Sequence, residues 1–145
     1  MSKSLIVKNS IRINAPLSRV WDVLTKPHYI RLWDELPEDF GDYEIDPATI
    51  IEWPGFAKMQ VIEFRPNERL RYSLEVPAWK DQNIHNVGYT YSLSIDNEGY
   101  TWLTVEIGDF AIVTEGAKYY NNSIAFGETA SQKIKKLAEK REIAL

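Results

Sequence analysis

Few side chains in this sequence can do chemistry near neutral pH, and their spacing narrows the choice further. His28 and His85 are its two imidazoles, the side chain whose ordinary titration falls in the physiological range. They lie far apart and the chain has no cysteine, so no zinc-binding pattern forms. No glycine-rich phosphate loop and no nucleophile elbow occurs. His28 falls in the first turn of a short helix, a surface position, whereas His85 falls in a long connection that can overhang a cavity and offer a polar contact. Glu63 is the other candidate. Facing inward, it would be a buried carboxyl with a raised pKa and the general base of the sheet, although Val61 competes with Ile62 and Phe64 for that side. Aromatic residues are the stronger signal. Eight Tyr and five Trp carry polar handles on apolar bodies, which suits them to orient an apolar molecule rather than to make or break its bonds.

Periodicity places those groups. Leu5, Val7, Ile11 and Ile13 alternate with polar residues and predict a first strand, with Asn9 on its apolar side. Asn14-Ala15-Pro16 ends it and opens a helix through Leu17, Val20, Trp21 and Leu24. Thr25-Lys26-Pro27 then breaks that helix and seeds a second through Tyr29, Ile30 and Trp33. Asp34 to Asp39 is an acidic stretch ending at Gly41, predicted to be a solvated connector, with a docking site for a basic partner as the alternative. Short strands follow: Tyr43 to Ile45, Ile50 to Trp53 before the Pro54-Gly55 turn, Lys58 to Arg65, and Leu70 to Val76. Leu70, Tyr72, Leu74 and Val76 share one face of the last of these. Gly88 to Asp96 puts Tyr89, Tyr91, Leu93 and Ile95 inward, and Tyr100 to Ile107 does so with Leu103, Val105 and Ile107, leaving Trp102 out of phase. Thr114 to Leu145 reads as one long helix of roughly 30 residues, about 45 Å, with Thr114 as its cap. Its apolar face carries Tyr120, Ile124, Gly127, Ile134 and Ala138, with a slim waist at Gly127, Ala130 and Ser131.

These elements predict an α+β fold: a curved antiparallel sheet of about seven strands, two short helices after the first strand, and a long C-terminal helix covering the sheet's apolar face. A length of 145 residues predicts a single domain over 1–145. A net charge of −4 argues against nucleic acid as a partner. The chain shows no apolar run long enough to span a membrane and no secretory leader. Together with the lack of cysteine, that fits a cytoplasmic location.

The stretch from Ile13 to Thr25, continued by Pro27-His28-Tyr29-Ile30-Arg31-Leu32-Trp33, resembles the START-like, or SRPBCC, helix-grip superfamily of birch-pollen allergens, lipid-transfer domains and aromatic polyketide cyclases. Its branch is similar to the activator of the 90-kDa heat-shock chaperone ATPase, as is the turn Arg65-Pro66-Asn67-Glu68-Arg69-Leu70-Arg71-Tyr72. The resemblance implies a cavity between the sheet and the long helix, capped by the two short helices. Its expected lining is Tyr72, Tyr89 and Tyr91 from the strands and Tyr120, Ile124 and Gly127 from the helix. Tyr29 or Trp33 would guard the mouth, with Trp53, Trp79 and His85 as further contacts. The expected function is non-catalytic binding of a small lipid-like or polycyclic aromatic molecule, with no metal and no cofactor. The alternatives are stimulation of a chaperone ATPase, with the chaperone as partner, and a cyclase or hydrolase using the same cavity.

Overall fold

The computed structural model describes residues 4–79, 82, 84 and 87–140. The element order is β1 (Val7–Ile13), α1 (Leu17–Thr25), α2 (Pro27–Trp33), β2 (Ile50–Trp53), β3 (Ala57–Arg65), β4 (Arg69–Glu75), β5 (Gly88–Ile95), β6 (Thr101–Gly108) and α3 (Gly116–Glu139). Six strands form one antiparallel sheet in the order β1-β6-β5-β4-β3-β2. The expected seventh strand, Tyr43 to Ile45, does not form. Ile45 is buried, but its amide bonds the carbonyl of Thr25 (2.9 Å) and so ties the connector to α1 instead of to a neighbouring strand.

Alternation becomes burial wherever a strand has one covered face. In β6, Thr101, Leu103, Val105 and Ile107 are buried while Trp102 points outward and donates from Nε1 to Asp96 (2.9 Å). In β3 a bulge between Val61 and Glu63 shifts the pairing with β4. An extra residue reverses the parity of the strand beyond it, so Met59 and Val61 face the core before the bulge and Phe64 packs on Trp21 after it (5.4 Å between ring centroids). The contest for the inner face is therefore resolved in favour of both Val61 and Phe64, and Ile62 is left exposed.

Helix α3 begins one residue later than a cap at Thr114 would place it. Glu115 precedes it in a left-handed conformation and supplies no side-chain cap. The helix buries Gly127, Ala130, Ser131, Ile134 and Ala138, and it lies chiefly on β1 and β6, one end of the sheet. A Cβ at Gly127 would stand 2.6 Å from Asn9 Nδ2 and 3.0 Å from Val7 Cγ1. The slim waist is thus a close approach of helix to β1, as small residues permit, and not the wall of a trough. The inner face of β2 to β5 lies beyond this grip.

Candidate functional site

At that far end a cavity of about 440 Å³ opens between the sheet, the end of α2 and the middle of α3. Met59 on β3, Leu74 on β4 and Tyr89 on β5 line its floor, Trp53, Phe56 and Ala57 of the β2–β3 hairpin form one side, and Phe126 of α3 forms the other. The Tyr89 and Phe126 rings meet almost perpendicularly, at 84° with centroids 5.8 Å apart, so they make two adjoining walls. Trp53, Phe56, Ala57 and Leu74 also line a neighbouring hollow of about 530 Å³ that runs on to Trp79 and Ile84. Asp34, Glu35 and Phe126 are shared with a groove between α2 and α3 on the other side.

Asp34 is the distinctive group. It follows α2 directly, its amide bonds the Ile30 carbonyl (2.7 Å), and its carboxylate accepts from the Glu35 amide (2.7 Å). Burial raises its pKa from 3.8 to about 6; the Glu35 hydrogen bond opposes the rise and the Glu35 charge adds to it. No cation among the described residues pairs with it. Three phenols lie within reach of its field. Burial, and secondarily the Asp34 charge, pushes Tyr89 up to about 12 and Tyr72 and Tyr91 well above their ordinary range. Tyr72 and Tyr91 pack edge to face (6.3 Å, 90°), and Tyr91 packs in turn against Trp33 (5.7 Å).

The expected site residues separate into groups. Trp53 and Tyr89 line the cavity, and Trp79 lines the adjoining hollow. Tyr72 and Tyr91 are buried beneath, near Asp34. Trp33 spends its indole N–H on the Val23 carbonyl (2.9 Å) and lines the outer groove. Tyr29 and Tyr120 pack half-buried against the core, and His85 lies outside the described residues. Two placements are corrected. Ile124, expected to face inward, is 41% exposed, and Gly127 is filled by Asn9 and Val7. The cause is a rotation of the helical face: Phe126 lines the cavity in place of Ile124 and Gly127, because the smallest side chain goes to the tightest contact, against β1.

Asp34 and Phe126 escaped the sequence reading. The signal for Asp34 was its position right after Trp33, where a helix ends against an inward indole. For Phe126 it was the spacing of 126, 130, 134 and 137. Glu63 is not a buried base: it lies near Arg69 (3.4 Å) and Arg65 (3.7 Å) on the outer side of the sheet. His28 is exposed beside Tyr29. Among the described residues no cluster of three or more His, Asp or Glu side chains is arranged to hold a metal, and no helix is long and apolar enough to cross a membrane.

This architecture is the helix-grip fold, a curved antiparallel sheet closed on one side by a long C-terminal helix. No family model and no curated protein sequence matches the chain. Solved structures do. The protein MLL2253 from Mesorhizobium loti is similar over 95% of this chain and 99% of its own, with a TM-score of 0.70 at 19% identity. CalU16 from Micromonospora echinospora gives 0.64 at 18% identity over 94% of this chain and 77% of its own. The Aha1 dimer from Colwellia psychrerythraea gives 0.62 at 13% identity over 95% and 98%. At these identities the likeness is one of fold.

Proposed function

We propose that the chain binds a small, largely apolar, ring-containing molecule in the cavity floored by Tyr89 and Leu74, as a carrier or sensor without catalysis. The observation that carries this reading is an aromatic-walled space of about 440 Å³ left open where α3 fails to cover the sheet. Binding pockets for small molecules run to roughly 300–1,000 Å³ and are mostly apolar with a few polar groups. Burying about 300 Å² of ligand surface contributes about 7 kcal/mol before association costs, which sets micromolar affinity as the upper bound from that contribution. Titration calorimetry with 2-naphthol will show saturable one-site binding, and Trp53→Ala will weaken it by about tenfold. An absence of saturable heat, or an affinity indifferent to Trp53, rejects the reading.

One observation favours a second reading. A carboxyl with a pKa of about 6 facing a cavity is suited to proton transfer at neutral pH, so the cyclase or hydrolase alternative has its acid in Asp34. If Asp34 moves protons, the protein will speed deuterium exchange into the α-position of 2-tetralone, and Asp34→Asn will abolish the effect. Exchange at the buffer rate removes this reading. The chaperone-stimulator alternative draws on the shared fold and on Glu38 and Asp39, which are exposed. Chaperone ATP turnover with and without saturating protein measures it.

A further inference from the structure

We propose that the ligand of this cavity carries a protonated amine, which Asp34 meets as counter-ion while Trp53, Tyr89 and Phe126 enclose the attached ring system. The proposal rests on the cavity-binding reading above and adds the ligand's charge.

The charges around the cavity point one way. Its lining holds two carboxylates, Asp34 and Glu35, and no cation among the described residues. The side chains whose titration feels Asp34 are the phenols of Tyr72, Tyr89 and Tyr91, which are neutral near pH 7. Arg31 and Lys133 belong to the outer groove between α2 and α3, and Arg31 is engaged by Asp42 (2.9 Å). The adjoining hollow holds Glu52 and Glu75 against Lys58, so it does not repel a cation on its way in.

A carboxylate partly withdrawn from water without a partner is costly, and a bound cation relieves that cost. A fatty acid or other anion would set a third negative charge beside Asp34 and Glu35. A neutral ring compound would fill the space and leave the carboxylate uncompensated. The aromatic walls add a second attraction that only a cation enjoys, because an ammonium group is drawn to the negative face of an aromatic ring. Tyr89 and Phe126, perpendicular to one another, both line this space.

The test compares three probes sharing one skeleton: 2-naphthylmethylamine, 2-naphthylmethanol and 2-naphthoic acid, titrated by calorimetry at neutral pH into the wild type, Asp34→Asn and Glu35→Gln. In the wild type the amine is expected to bind about tenfold tighter than the alcohol, and the acid weakest, as a charge-assisted contact requires. Asp34→Asn brings amine and alcohol to equal affinity, and a cooperative urea transition shows that the variant is folded. Glu35→Gln keeps most of the preference. Equal binding of amine and alcohol by the wild type, or a preference that survives Asp34→Asn, overturns the proposal while leaving the cavity reading intact. Failure of all three probes to bind overturns both.

Discussion

Gly88→Ala will lower the unfolding free energy by about 3 kcal/mol or more, the sum of an overpacked contact and lost strand pairing. The reason is steric. A Cβ on Gly88 would stand 1.8 Å from the Tyr72 carbonyl oxygen and 2.9 Å from its carbon. Those are backbone atoms of the neighbouring strand, with no rotamer to retreat into. Strand β5 would have to draw back from β4 at the point where Ser73 faces Gly88, Tyr72 faces Tyr89, and the Leu74 amide bonds the Val87 carbonyl (2.8 Å). Overpacking alone costs about 1–3 kcal/mol, and each broken backbone bond adds about 1. The same movement displaces Tyr89 from the cavity floor, so affinity for naphthol-like ligands will fall together with stability. Urea denaturation measures the first effect and calorimetry the second. A loss below about 1 kcal/mol would mean that the two strands have room to spare, contrary to the close approach of Gly88 to Tyr72.

How far the sequence could be read depends on what each element asks of it. Strands β4, β5 and β6 were legible because one face is covered and the other is not, and alternation records that directly. The inward phenols of Tyr72, Tyr89 and Tyr91 came with them. The residues 43–45 misled because a short alternating run looks the same whether its amides pair with a strand or, as Ile45 does, with the end of a helix. The facing of α3 misled for a different reason. A helical face is a stripe well over 100° wide, and the sequence marks it without saying which edge lies over β1 and which over the cavity. Only the contact at Gly127 settles that, and it depends on Asn9 and Val7, more than a hundred residues earlier in the chain. Asp34 was hidden among acids. In the run from Asp34 to Asp39 its neighbours Glu35, Glu38 and Asp39 are exposed, and composition describes them well. Whether one acid of such a run turns inward depends on where α2 stops.

Asp34→Asn will make the protein more stable at neutral pH, and the gain will vanish in acid. The folded state holds the Asp34 proton more tightly than the unfolded chain, with a pKa of about 6 against 3.8. Its contribution to stability is therefore fully present below about 3.8, declines as pH rises, and is lost above about 6. A difference of that size corresponds to at most about 3 kcal/mol, and because Asp34 is only half-buried, water reduces this to about 1–2 kcal/mol. Asn cannot ionise, so the variant lacks this decline. Other carboxyls titrate in the opposite sense. At Asp96 the desolvation cost is outweighed by hydrogen bonds from Trp102 Nε1 and from the Tyr100 and Glu98 amides, and at Glu139 by those from the Asn14 amide and Lys135. Both are held below their ordinary values, so both support the fold at neutral pH and fail in acid. Because they are common to the two proteins, they cancel when wild type and variant are compared at each pH. The readout is the difference in urea midpoint between Asp34→Asn and wild type at pH values from about 4 to 7.5, which should widen steadily through the window and level off above about 6. A difference that is flat across that window would mean that the Asp34 carboxyl is as well solvated as an ordinary surface acid. It would then lack the desolvation cost that a bound cation is proposed to relieve.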